Sequence, residues 1–190
     1  YDSASEKVVI AYKDAGNSSY GTAIVGTVSG TTISFGSEVV FASATIVEIK
    51  STFDSASNKV VISYIDQDNS NYGIAIVGTV SGTSISFGTA AVWNSNRSDF
   101  TSIAFDSSAN KVVITFASAT GSPSYEGKAI VGTVSSTNIS YASAVVFESG
   151  RTENTSVVYE VNAQKVVIAY KDRGNSSYGT AIVGTISGTS

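Results

Sequence analysis

The sequence predicts an all-β protein, a β-propeller of four-stranded antiparallel blades repeating about every 52 residues and incomplete at both ends. Three observations predict it. The phrase "KDAGNSSYGTAIVGTVSG", Lys13 to Gly30, returns as "KDRGNSSYGTAIVGTISG", Lys171 to Gly188, with two differences over eighteen positions. Shorter tags set the period: "KVVI" begins at Lys7, Lys59, Lys111 and Lys165, and "AIVGT" begins at Ala23, Ala75, Ala129 and Ala181, at spacings of 52 or 54 residues. No segment sustains a helical apolar period, while β-branched and aromatic runs are separated by clusters of Gly, Ser, Asn and Asp.

Within one period four strands are expected, and the third copy with its flanks shows all of them. Strand A is "TSIAFD" (101–106), B is "KVVITF" (111–116), C is "KAIVGTVS" (128–135) and D is "NISYASAVVF" (138–147). In "VVIAY" the alternate positions Val8, Ile10 and Tyr12 are apolar, and so are Val9 and Ala11 between them. Such a strand needs cover on both faces, so each sheet is stacked between others. In strand C, Gly26, Gly78, Gly132 and Gly184 predict a bulge or a close approach by the neighbouring sheet.

Connections follow the same logic. The C–D link "SGTS" is a tight hairpin, "DSASNK" a short A–B turn, and the D–A link, as in "ESGRTENT", a loop long enough to cross to the next blade. The copies are bounded at 1–52, 53–104, 105–158 and 159–190, the last truncated, and form one repeat domain. A β-solenoid of 52-residue coils is the alternative. The first copy opens at the end of an A strand and the fourth stops before its D strand. That predicts a segment of a longer array, or a module that completes its sheet with another chain.

Composition narrows the chemistry. The chain has no Cys, Met or His, which removes the softer metal ligands and the usual general base. With a net charge of −4, neither a nucleic-acid backbone nor an anionic membrane is an expected partner, and no apolar run is long enough for a spanning helix.

Because antiparallel strands reverse, A–B and C–D loops share one end of a blade and B–C and D–A loops share the other. The first end carries near-identical turns such as "DSAS" and "SGT". The second collects most departures from the repeat, including the third-copy insertion around Ser122 to Glu126, Glu48 and Lys50. Candidate ligand-binding residues there are Lys13, Asp14, Asn17, Arg97, Asp99, Arg151, Glu153, Asp172, Arg173 and Asn175. Asp14, Asp66 and Asp172 also fit a purely structural turn, their carboxylates folding onto backbone N–H groups while Gly16 and Gly174 supply positive φ. Asp66 and Asp68 alternate like oxygen ligands, so calcium is the cofactor considered, although the glycine and terminal glutamate of an EF-hand are missing. Trp93 occupies the place of Phe41 and Phe147 and is expected in the core.

Asp14-Ala15-Gly16 and Asp172-Arg173-Gly174 distantly resemble the Asp-x-Gly centre of the Asp-box in sialidase-type propellers, but the flanking Ser and Thr-Trp of that pattern are not in place. That resemblance implies a propeller fold and, as one alternative function, a sialidase-like glycoside hydrolase using Arg97, Arg151 and Arg173. As a whole, "KVVIAY…GNSxYGTAIVGTVSGTSISFG" is similar to tandem repeats of bacterial and phage surface or tail-fibre proteins. This similarity implies an extracellular or virion-associated adhesion module. The leading expectation is accordingly a non-catalytic module binding a glycan or surface receptor through its B–C and D–A loops. Assembly with copies of itself through unpaired sheet edges is the other alternative.

Overall fold

The computed structural model describes residues 1–119 and 125–188, and among these it is all strand and turn. The strands are antiparallel, lie in three sheets and form no closed barrel. The expected bounds at 52/53 and 104/105 cut through A strands, so each copy is counted from the start of its A strand: the first copy contains β1 (Val8–Asp14), β2 (Tyr20–Ser29), β3 (Thr32–Phe35) and β4 (Val39–Ala42). The second contains β5 (Ile46–Asp54), β6 (Lys59–Asp66), β7 (Tyr72–Ser81), β8 (Ser84–Phe87) and β9 (Ala91–Asn94). The third begins with β10 (Ser98–Asp106), β11 (Lys111–Ser118), β12 (Glu126–Ser135) and β13 (Asn138–Tyr141). β14 (Val145–Glu160) closes the third copy and opens the fourth, which continues with β15 (Lys165–Asp172) and β16 (Tyr178–Gly184).

Three expectations change in detail. Strand D is not continuous: it breaks into β3 and β4, β8 and β9, or β13 and the start of β14, and both pieces pair with strand C. The segment "ESGRTENT", expected as a crossover loop, is extended strand within β14 and joins the third and fourth copies into one sheet. The strand-C glycines Gly26, Gly78 and Gly132 mark neither a bulge against strand B nor an approach by another sheet. A Cβ on Gly26 would meet the Ile33 side chain at 2.6 Å, and one on Gly132 would meet Ile139 and Tyr141 at 2.9 Å. They leave room for the D-strand side chains of their own sheet.

A bulge where strand D pairs with strand C sets the packing. Gly21 pairs with Ala42 and Thr22 with Val40, so Phe41 is an extra residue whose ring covers Gly21. Trp93 sits likewise over Gly73, and Phe147 over Gly127. Each ring then meets an aromatic of the following copy: Phe41 lies 5.5 Å from Tyr64, Trp93 4.7 Å from Phe116 and Phe147 5.2 Å from Tyr170, all tilted. Trp93 is buried as expected, and its Nε1 donates to Ser63 Oγ at 3.1 Å.

Apolar residues on both faces of the B strands make this stacking continuous. Val60, Ile62 and Tyr64 pack toward the first copy, whereas Val61 and Ile65 pack toward the third. Full burial of such a side chain contributes about 1.5–3 kcal/mol. The outer face of the first copy has no such cover: Ile10, Ile33 and Phe35 are 38%, 41% and 51% exposed, while Ile62 and Ile85, one period later, are 0% and 4% exposed.

At the rim, the corner after each first D segment touches the next copy's C–D hairpin. A Cβ on Gly36 would stand 1.9 Å from the carbonyl oxygen of Thr83, and one on Gly88 would stand 1.9 Å from that of Thr137. Gly88→Ala therefore forces the two sheets apart and is expected to lower stability by about 1–3 kcal/mol. A urea titration checks this, and an unchanged midpoint would show that the corner carries no packing.

Candidate functional site

The end of the sheets where B–C loops meet D–A crossovers is held by a repeated pair of backbone hydrogen bonds. The N–H groups of Gln67, Ala119 and Arg173, after their B strands, donate to the carbonyls of Thr45, Arg97 and Arg151 at 2.9–3.0 Å. Each crossover in turn donates back to the preceding copy: Ile46 to Ser19, Ser98 to Asn71 and Thr152 to Tyr125, at 3.4, 3.3 and 2.8 Å. Every crossover is thus clamped between two B–C loops.

On this end the fourth copy carries a compact charge cluster. Glu153, with a side chain 9% exposed, receives Arg173 Nε at 2.9 Å, Arg151 Nη2 at 3.1 Å and Lys171 Nζ at 3.4 Å. The strand register sets up part of this, since Glu153 lies directly opposite Lys171. Arg151 also lies over the ring of Tyr125, 5.2 Å from its centroid. Hydrogen bonding from Arg173, and then from Lys171, holds the Glu153 carboxyl below its ordinary value despite partial desolvation.

Arg97 belongs to a separate pair, with Asp99 at 3.0 Å. None of the described cavities is lined by Arg97, Arg151 or Arg173. Lys13 and Asn17 are exposed on the first copy and Asn175 is exposed on the fourth; no ion pair or hydrogen bond between described residues links the two sets. Ser122 to Ser124, within the insertion, lie outside the described residues.

The aspartates of the B–C loops act as turn caps. Asp14 Oδ1 accepts from the N–H groups of Gly16 and Asn17 at 2.9 and 3.2 Å, and Asp172 Oδ1 accepts from Gly174 and Asn175 at 2.8 and 3.0 Å. Positive φ falls elsewhere than expected. Ser18 and Ser19 (53° and 63°), Ser70 and Asn71, and Ser176 and Ser177 adopt it, rather than Gly16 and Gly174. In the second copy Asp66 accepts from Asp68 N–H, and Asp68 Oδ2 accepts from Thr45 N–H at 2.8 Å across the crossover. Both carboxylates thereby hold backbone, and among the described residues no group of three or more acidic, His or Cys side chains stands ready for a metal ion.

Sequence reasoning missed Lys171 and covered Tyr125 only as part of the insertion around Ser122 to Glu126. Lys171 follows Tyr170 at the end of β15, in the place of Lys13, so only the pairing register reveals its carboxylate partner.

Because its cationic partners depress the Glu153 carboxyl, the pairing stabilises the fold above the unfolded-state carboxylate value, about pH 4.3. The contribution is lost as pH falls through the lower folded-state value. Glu153→Gln is expected to lower the urea midpoint at neutral pH, with the gap to the parent chain closing as the pH falls below the unfolded-state carboxylate value and through the lower folded-state one. A gap independent of pH would show that the cluster contributes only packing.

Comparison of the chain with protein-family models and with curated proteins returns no match.

Proposed function

We propose that the chain is a non-catalytic binding module of β-propeller type that takes a glycan or another surface partner on the end where the B–C loops and crossovers meet. Support for the propeller reading comes from the stacking of A-to-D sheets and from the side-by-side A strands. Thr101 Oγ1 of β10 donates to the carbonyl of Glu48 on β5, and Thr155 Oγ1 of β14 donates to that of Phe100 on β10. Consecutive units therefore converge on their first strands, as blades do about an axis.

The Glu153 cluster is the observation that carries the binding reading. Arg151, Lys171 and Arg173 share one carboxylate on a chain whose net charge is −4. Arg151 and Arg173 remain 54% and 43% exposed; although Arg173 Nη1 also donates to Ser177 Oγ at 3.5 Å, two guanidinium groups so exposed suit an anionic group such as the carboxylate of an acidic glycan. The opposite end offers capped turns: Asp54 and Asp106 are buried, and each accepts two backbone N–H groups and a serine hydroxyl. An extracellular or virion-surface location is part of this proposal and rests on the resemblance to surface and tail-fibre repeats.

On an array of acidic and neutral glycans, the chain is expected to retain acidic ones. Arg151→Ala and Arg173→Ala should each weaken that binding several-fold, within the ~1 kcal/mol usual for exposed charges, and added salt should do the same. Retention that ignores both arginines would refute the assignment of this face.

A second reading, self-assembly, is favoured by the uncovered apolar face of the first copy and by the edge of β16, where Tyr178 and Val183 are each 63% exposed. A further unit of the same repeat would cover either surface. If a second chain supplies it, light scattering will show mass rising with concentration; a constant monomer mass would remove this reading.

A further inference from the structure

Three successive A strands carry the same bulge at the same position. Val47 pairs with Ile65 and Lys50 with Ser63, so Glu48 and Ile49 together oppose Tyr64. Phe100 and Thr101 oppose Phe116 in the same way, and Asn154 and Thr155 oppose Tyr170. The first residue of each bulge is left-handed: Glu48 at φ 55°, Phe100 at 57° and Asn154 at 53°. Asparagine adopts this region with ease; for a bulky aromatic it is an outlier.

Joining the A strands explains the backbone of these bulges, because the bulge carbonyls of Glu48 and Phe100 accept the threonine hydroxyls of the next copy. It does not explain the side chains, since glycine would hold the same backbone without strain. A bulge re-aims side chains, and here it turns them toward one opening. That opening is a polar cavity of about 380 Å³ whose lining includes Glu48, Lys50, Phe100, Ser102, Asn154 and Ser156. Glu48 Oε2 accepts from Thr101 N–H at 3.0 Å, which fixes the carboxylate and leaves Oε1 with no hydrogen bond among the described residues. Lys50 is exposed and takes part in none of their ion pairs.

We propose that this groove is a saccharide site, seating one sugar ring with its C–H face on Phe100 and its hydroxyls on Glu48, Lys50, Asn154 and the two serines. The lining selects the class. One carboxylate and one ammonium balance, which disfavours a phosphate group, and a single aromatic ring among polar groups gives no wall for a lipid or an apolar ligand. A pyranose presents this mixture of C–H face and hydroxyl edge, and the volume lies within the roughly 300–1,000 Å³ of small-ligand sites. The inference rests on the binding-module reading and adds a second point of contact, whose lining residue Asn154 follows Glu153 directly on β14 but opens onto the bulge groove.

The test is amide NMR on the full chain titrated with methyl glucoside, methyl galactoside, methyl mannoside, methyl N-acetylglucosaminide and galacturonate at millimolar concentration. At least one sugar is expected to shift the amides of residues 48–50, 100–102 and 154–156 saturably. Phe100→Asn should weaken that sugar by about tenfold or more, while leaving thermal stability unchanged or higher because the left-handed strain is relieved. Lys50→Ala, an exposed change, should weaken the same sugar without unfolding the chain. Shifts confined to residues around Arg151, Glu153 and Arg173 would overturn the groove and leave the loop-face reading standing. Groove shifts that persist in both variants, or no shifts with any sugar, would also overturn it; in the latter case, failure of the glycan array as well would bring down both readings.

Discussion

One aromatic ring per copy, seated on a glycine of its own sheet and pressed against an aromatic of the next, is the contact on which the array depends. Phe41, Trp93 and Phe147 reach that position because a bulge offsets the second half of strand D by one residue against strand C. With a side chain in place of Gly21, Gly73 or Gly127, the ring would have no seat, since the added Cβ would lie 2.3–2.6 Å from its nearest neighbour. Burial of the ring and its tilted contact then fix both the spacing and the rotation between sheets.

Rigid stacking has consequences at the loop end. Because each crossover is bonded to the B–C loop before it and to the one after it, the loops are parts of a continuous clamp. Side chains displayed there are held by the scaffold, and the Glu153 cluster is an instance: strand register brings Lys171 opposite, while the turn after β15 brings Arg173. The same stacking brings the A strands side by side, so that a bulge in each opens onto a shared groove.

Satisfied polar groups separate structural from available chemistry. The loop aspartates Asp14, Asp66 and Asp172 look like ligands in the sequence but accept backbone N–H groups two or three residues on. Their oxygens replace the water that a tight turn excludes. Tyr141 is the opposite case: its hydroxyl is buried without a hydrogen-bond partner among the described residues, at a position where the two earlier copies carry Phe35 and Phe87. Burial pushes that hydroxyl's ionisation upward.

By itself the sequence determined the all-β class, the period, the order of strands within a unit, the need for cover on both faces of strand B, and the burial of Trp93. These follow from local periodicity, turn chemistry and comparison between copies, all of which are written along the chain. Tertiary structure alone decided where strand D breaks, that "ESGRTENT" is strand, that Glu153 gathers three cations, and that Glu48, Phe100 and Asn154 meet at one groove. The physical reason is that a one-residue bulge leaves almost no mark in composition yet redirects every side chain beside it, and contacts between residues about fifty positions apart exist only once the sheets have stacked.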